Sequence, residues 1–134
     1  MAGGYGLIVT ELVFWGAFGL LVEMCFTALR DLIKKKDPAL VGHASLWMFP
    51  IYAFGLTYGF DFISYLIQTD TMRYASYPLW IWGVEIVVGV PALWLGVRLW
   101  DYHYLPDKLH WKGIISFVHY PLWMGFGILV EAIK

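Results

Sequence analysis

The sequence predicts an all-α integral membrane protein: a four-helix transmembrane bundle with both termini outside. Three observations lead there. The chain is 60% hydrophobic and only 14% charged, with a mean hydropathy of +0.66. A soluble domain carries roughly 25% charged residues, so this chain lacks the charge to coat a water-facing surface. Four apolar segments, roughly 6–30, 44–68, 77–101 and 112–133, each reach the length of about 20 residues that a bilayer core demands. The nine Lys and Arg also divide unevenly between the two ends of such a bundle. Arg30, Lys34, Lys35, Lys36, Arg98, Lys108 and Lys112 lie at the first and third connections, and only Arg73 and Lys134 lie opposite. Basic residues stay on the cytoplasmic side, which places the Lys34–Lys36 loop in the cytoplasm and the protein in a plasma or inner membrane. At 134 residues the chain suits one transmembrane domain over 1–134.

The first segment is expected to be a retained helix and not a secretory signal, because it lacks a basic leader and contains Glu11 and Glu23. Gly16, Gly19 and Glu23 fall on one helical face. Small residues let membrane helices approach closely, so this face should turn inward and carry Glu23 with it. Thr27 lies one turn further and Arg30 at the exit. The second segment should begin near His43; its Pro50 removes a backbone donor and is expected to free the carbonyl of Leu46. Gly55 and Gly59 offer a packing seam, with Asp61, Thr57, Ser64 and Tyr65 on the outer half. The third segment opens with Pro78, a residue favoured in a first helical turn, carries Trp82 and Glu85, and should kink at Gly89 and Pro91 before leaving through Arg98, Trp100, Asp101 and Tyr102. The fourth places His119 and Pro121 in its inner half and Glu131 near its outer end. The short connections make consecutive helices antiparallel neighbours.

Embedded acids are the chemistry-bearing feature, since a charged residue at a helix centre costs roughly 2.5–3.5 kcal/mol on insertion scales. Glu23 and Glu85 read equally well as a binding or catalytic pair and as groups that fix packing; Asp61 and Glu131 read as structural. Glu23 shares its depth with His43, Ser45, Arg98, Tyr102 and His119. A buried Glu23–Arg98 ion pair is one outcome, and Arg98 reaching headgroups is the other. The candidate ligand-binding or polar-core residues are therefore Glu23, Thr27, Ser45, Trp47, Tyr52, Trp82, Glu85, Arg98, Asp101, Tyr102 and His119. Haem or metal through His43 and His119 is not expected, because no HxxxH, ExxH or HExxH spacing is present, and no other cofactor is implied. Cys25, the single cysteine, can form no internal disulfide and reads as packing. A net charge of −1 without a basic stripe excludes nucleic acid. No GxSxG or phosphate-binding loop occurs, so an energised transporter would need a separate ATPase or other membrane subunit.

Those same residues carry a family likeness. Glu23 with FTAL (26–29), SLWMFPIY (45–52), Trp82 and Glu85 with Gly89, WDY (100–102), GII (113–115) and a terminal helix ending in Glu131 occur in this order over nearly the whole chain. The chain resembles the small membrane proteins labelled ABC-transporter type IV permeases, a family that includes the vertebrate transmembrane protein 229 group. The Pro121–Trp123 spacing is shifted from that group's Pro-Trp pair, and His119 stands where the group has no fixed histidine. The resemblance implies a four-helix membrane protein with these polar positions as its signature. Three functions are compatible with the residues. The first is binding or transport of a small cationic or amphiphilic molecule in an acid-lined intramembrane cavity. The second is lipid modification at the cytoplasmic headgroup level, with Glu23 beside Tyr102 and Asp101. The third is a structural or accessory membrane subunit. The chemistry leans away from an enzyme. Membrane lipids are the expected partners, together with a second copy of the chain, which the glycine and aromatic faces would allow.

Overall fold

The computed structural model describes the backbone from Ala2 to Lys134 and side chains from Gly6 onward. Helix accounts for 71% of the chain, so the all-α expectation holds at the level of secondary structure. The helices are α1 (Ala2–Lys35), α2 (Met48–Phe54), α3 (Phe60–Leu66), α4 (Asp70–Trp94) and α5 (Tyr120–Ile133). A π-helical segment, Gly55–Gly59, joins α2 to α3 without a break in the helical backbone. Two of these helices, α1 over Gly6–Lys35 and α4, are long and apolar enough to cross a membrane. The apolar helix α5 has 14 residues, which at 1.5 Å per residue spans about 21 Å. The chain divides into two compact units, Met1–Thr57 and Tyr58–Lys134.

In the first unit α2 folds back on the inward face of α1. A Cβ on Gly16 would press on the Phe49 ring at 2.8 Å, and one on Gly19 would collide with the Tyr52 ring. The glycines on α1 are thus spaces for aromatic rings on α2, the close approach that small residues permit. The connection is tied down at its middle. Gly42 lies so close to the Met24 carbonyl that a side chain there would strike backbone. Thr27, buried on α1, accepts the N–H of His43 at 2.8 Å. The expected freed carbonyl at Leu46 does not arise. Helix α2 starts at Met48, five residues after His43, and the Phe49 N–H donates to the Leu46 carbonyl at 3.1 Å. Pro50 therefore sits in the first helical turn, where a missing N–H costs little.

In the second unit the proposed third segment is displaced toward its N-terminus. Helix α4 begins at Asp70, preceded by extended Thr69, so Pro78 lies inside it and not at its start. It ends at Trp94, and the terminus has a backbone reason. Gly96 adopts φ +76, its N–H donates to the Leu93 carbonyl (3.0 Å), and the Val97 N–H donates to that of Ala92 (2.9 Å). These two bonds form a Schellman cap. Arg98, Trp100, Asp101 and Tyr102 thus lie beyond the helix, not on it. Residues 95–119 form a folded connection with a 3-10 turn (Asp107–Leu109) and a short antiparallel ladder, β1 (His110–Trp111) with β2 (Ile115–Ser116). Residues 112–119, expected to be helical, belong to this connection. Gly113 at φ +69 turns the hairpin, and α5 starts only at Tyr120 with Pro121 in its first turn. The core of the unit stacks Phe60 on Tyr77 at 4.6 Å. Gly127 on α5 leaves room for Tyr77, and Gly59 for Trp80. Gly55, by contrast, faces open space and forms no seam.

Candidate functional site

Each unit holds one glutamate of the sequence-derived set, Glu23 in the first and Glu85 in the second, and each is engaged by a tyrosine. In the first unit Glu23 accepts a hydrogen bond from Tyr52. The cause is local: Gly19, one turn before Glu23, admits the Tyr52 ring against α1. The other carboxyl oxygen, Oε2, is buried and finds no hydrogen-bond partner among the described residues. Thr27, one turn further, is fully committed. Its Oγ1 accepts from His43 and has its one proton to donate to the carbonyl of His43 (2.9 Å) or Met24 (3.1 Å). Ser45 is half-buried and offers its carbonyl to the Met48 N–H at 2.9 Å. Trp47 is 69% exposed. The first unit therefore gathers Glu23, Thr27 and Tyr52 along one face, and Trp47 points elsewhere.

The second unit holds the denser cluster. Glu85 is 8% exposed and accepts the Tyr102 hydroxyl proton through Oε1 at 2.7 Å. Its Oε2 is buried without a hydrogen-bond partner among the described residues. The Tyr102 ring lies 5.4 Å from that of His119, which in turn lies 6.2 Å from Trp123. Trp82, one turn from Glu85 on α4, packs edge-on to Phe117 and against Tyr120, each at 5.7 Å. The indole N–H groups of Trp82 and Trp123 are buried and unbonded among the described residues. Glu85 Oε2, His119 Nδ1 and the two indole N–H groups thus remain without hydrogen-bond partners among the described residues of these neighbouring aromatic groups, where an unmade hydrogen bond costs roughly 1–3 kcal/mol. Such groups suit a small molecule that is both charged and hydrogen-bonding.

Tyr102 comes from the 95–119 connection, and the hairpin places it. Its N–H donates to the Gly113 carbonyl at 3.0 Å. The neighbouring Trp100 indole donates to the Ile114 carbonyl at 2.8 Å. Gly89 on α4 provides the space, since a Cβ there would press on Ile114 and Trp100. Arg98 and Asp101 stand apart from the buried cluster. Arg98 reaches Asp101 at 3.5 Å and the Lys112 carbonyl at 3.5 Å, and Asp101 accepts both the backbone N–H and the ring of His103. Burial alone would raise the Asp101 pKa. The two His103 hydrogen bonds and the Arg98 charge outweigh it and hold the group below the ordinary carboxylate value.

Sequence reasoning missed one polar group outright. Arg73 forks onto Glu131, with Nε to Oε2 at 2.9 Å and NH2 to Oε1 at 2.7 Å. It also donates to the carbonyls of Ile67 and Gln68 at the end of α3 and to Asp70, and the Tyr77 hydroxyl donates to Glu131. Asp61 pairs with Lys134 at 2.7 Å. Both outer acids thus have structural partners. The only hint in the sequence was the presence of lone basic residues among outer-side acids. Among the described residues no group of three or more His, Cys, Asp or Glu is placed to hold a metal ion. No family model matches this chain, and no solved structure matches it.

Proposed function

We propose that this chain is an integral membrane protein that binds a small cationic or amphiphilic molecule at the Glu85–Tyr102 cluster. The observation that carries the reading is the buried Glu85 Oε2, which has no hydrogen-bond partner among the described residues, in a unit that also buries two unbonded indole N–H groups and an unbonded His119 Nδ1. A carboxyl oxygen in an apolar site favours a cationic partner, and aromatic faces favour one as well. Glu23 with Tyr52 repeats the half-satisfied arrangement in the first unit and is a second, weaker candidate. In this reading α1 and α4 cross the bilayer with the Lys34–Lys36 loop in the cytoplasm of a plasma or inner membrane, and the family likeness to ABC-transporter type IV permeases belongs to the same proposal. Transport would require a second copy of the chain or a separate ATPase, since four helical segments are few for an independent path. A structural subunit is the competing reading, and the Arg73–Glu131–Tyr77 group supports it, as an acid wholly used in packing.

Native mass spectrometry of the protein released from its own membrane separates the two. The expected result is a bound mass on wild type and on Glu23→Gln that is lost from folded Glu85→Gln. An apo mass for all three, with Glu85→Gln destabilised, rejects the binding reading in favour of the structural one.

A further inference from the structure

The hairpin that positions Tyr102 contains a proton-sensitive bond. The Gly113 N–H donates to His110 Nδ1 at 3.0 Å. A backbone N–H can only donate, so Nδ1 must be the unprotonated nitrogen and the ring proton must lie on Nε2. That nitrogen is buried and faces Asp107 Oδ1 at 3.7 Å. The same assignment makes Nε2 unsuitable as a metal ligand, because a metal needs that lone pair. A protonated imidazole carries N–H on both nitrogens, and it would set two donors against each other at the Gly113 turn.

We propose that His110 is a pH-sensitive latch: neutral, it closes the Gly113 turn and so holds Tyr102 on Glu85; protonated, it releases both. The coupling runs through consecutive bonds. Gly113 donates to His110, the Gly113 carbonyl accepts the Tyr102 N–H at 3.0 Å, and the Tyr102 hydroxyl donates to Glu85 at 2.7 Å. Gly113 sits at φ +69, and a Cβ there would strike the His103 ring, so the turn depends on glycine. The charged and titratable groups facing the latch are Asp107 at Nε2, the His103 ring at 4.8 Å, Asp101 on His103, Lys112 over Trp111, and Arg98 at the Lys112 carbonyl.

The test is hydrogen exchange by NMR on the full chain in nanodiscs, across the range of about pH 5 to 8 in which histidine changes charge. Protection factors already remove the intrinsic pH dependence of exchange. On acidification the Gly113 amide and the Trp100 indole should lose protection roughly tenfold, the loss expected for one hydrogen bond turned repulsive, while amides of α1 hold theirs. His110→Gln keeps an acceptor that cannot titrate, so its protection should be flat with pH; His103→Gln, which keeps His110, should still lose protection on acidification. A flat wild-type response, or a response kept in His110→Gln and lost in His103→Gln, overturns the latch. Should His110→Gln fail to fold, ring 15N shifts of the wild type at pH 8 decide. A proton on Nε2 of His110 supports the proposal, and one on Nδ1 rejects it.

Discussion

Tyr102 and Glu85 show how one hydroxyl can set the cost of a buried acid. Phenylalanine at 102 removes the hydrogen bond to Glu85 Oε1 and leaves both carboxyl oxygens without a donor among the described residues. Tyr102→Phe is expected to destabilise the fold by about 1–3 kcal/mol in an equilibrium unfolding titration. Tyr102→Phe combined with Glu85→Leu should recover part of that loss, because removing both partners leaves no orphan. If the double variant is less stable than the single, Glu85 has a further stabilising contact. At the exposed edge, Asp101 makes a distinct pH prediction. Its folded pKa lies below the unfolded value, so its contribution is present above the ordinary carboxylate pKa of about 3.9 and is lost as pH falls through the folded value. Wild type should therefore lose more stability than Asp101→Asn below about pH 4, by a small amount since the side chain is half exposed and screened. Equal acid sensitivity of the two proteins would rule this out.

Among the elements, the glycines of α1 and of the π-helical segment after α2 do different work although they look alike in sequence. A methyl group on Gly19 meets the Tyr52 ring, whereas Gly55 has open space around it. Gly19→Ala is expected to cost about 1–3 kcal/mol by overpacking and to disturb the Tyr52–Glu23 bond. Gly55→Ala should be neutral, or stabilising by up to about 1 kcal/mol from helix propensity. Thermal unfolding of the two variants side by side checks this, and equal effects would refute the assignment. The ends of α4 and α5 carry a related lesson. Gly96 and Pro121 are ordinary stop and start signals, but an unbroken apolar run obscures them. Mean hydropathy does not distinguish helix from a folded, aromatic-rich connection, so the segments 77–101 and 112–133 extended too far toward each other.

For the whole molecule, the proposed orientation in a membrane rests on charge placement and can be tested in cells. In a Cys25→Ser background, Ala39→Cys lies in the exposed connection after α1. It should react with an impermeant maleimide only when the cytoplasmic face is opened; labelling of intact cells would reverse the proposed topology. The sequence by itself determined the helical class, the apolar lengths of α1 and α4, the inward face of Gly16, Gly19 and Glu23, and the prominence of Glu23 and Glu85. These are properties of periodicity, composition and spacing along one chain, which short-range geometry converts into structure. The sequence set Tyr102 beside Glu23, whereas the structure bonds Tyr102 to Glu85 and Tyr52 to Glu23. Only the tertiary structure decided which donor reaches which acceptor. It joined Arg73 to Glu131 across 58 positions, paired Arg98 with Asp101, turned Trp47 outward, and built the Gly113 hairpin that holds Tyr102. Hydrogen bonds are directional over about 3 Å, while helix rotation and loop path shift side chains by several times that distance. No pattern along the chain resolves them until the backbone has closed.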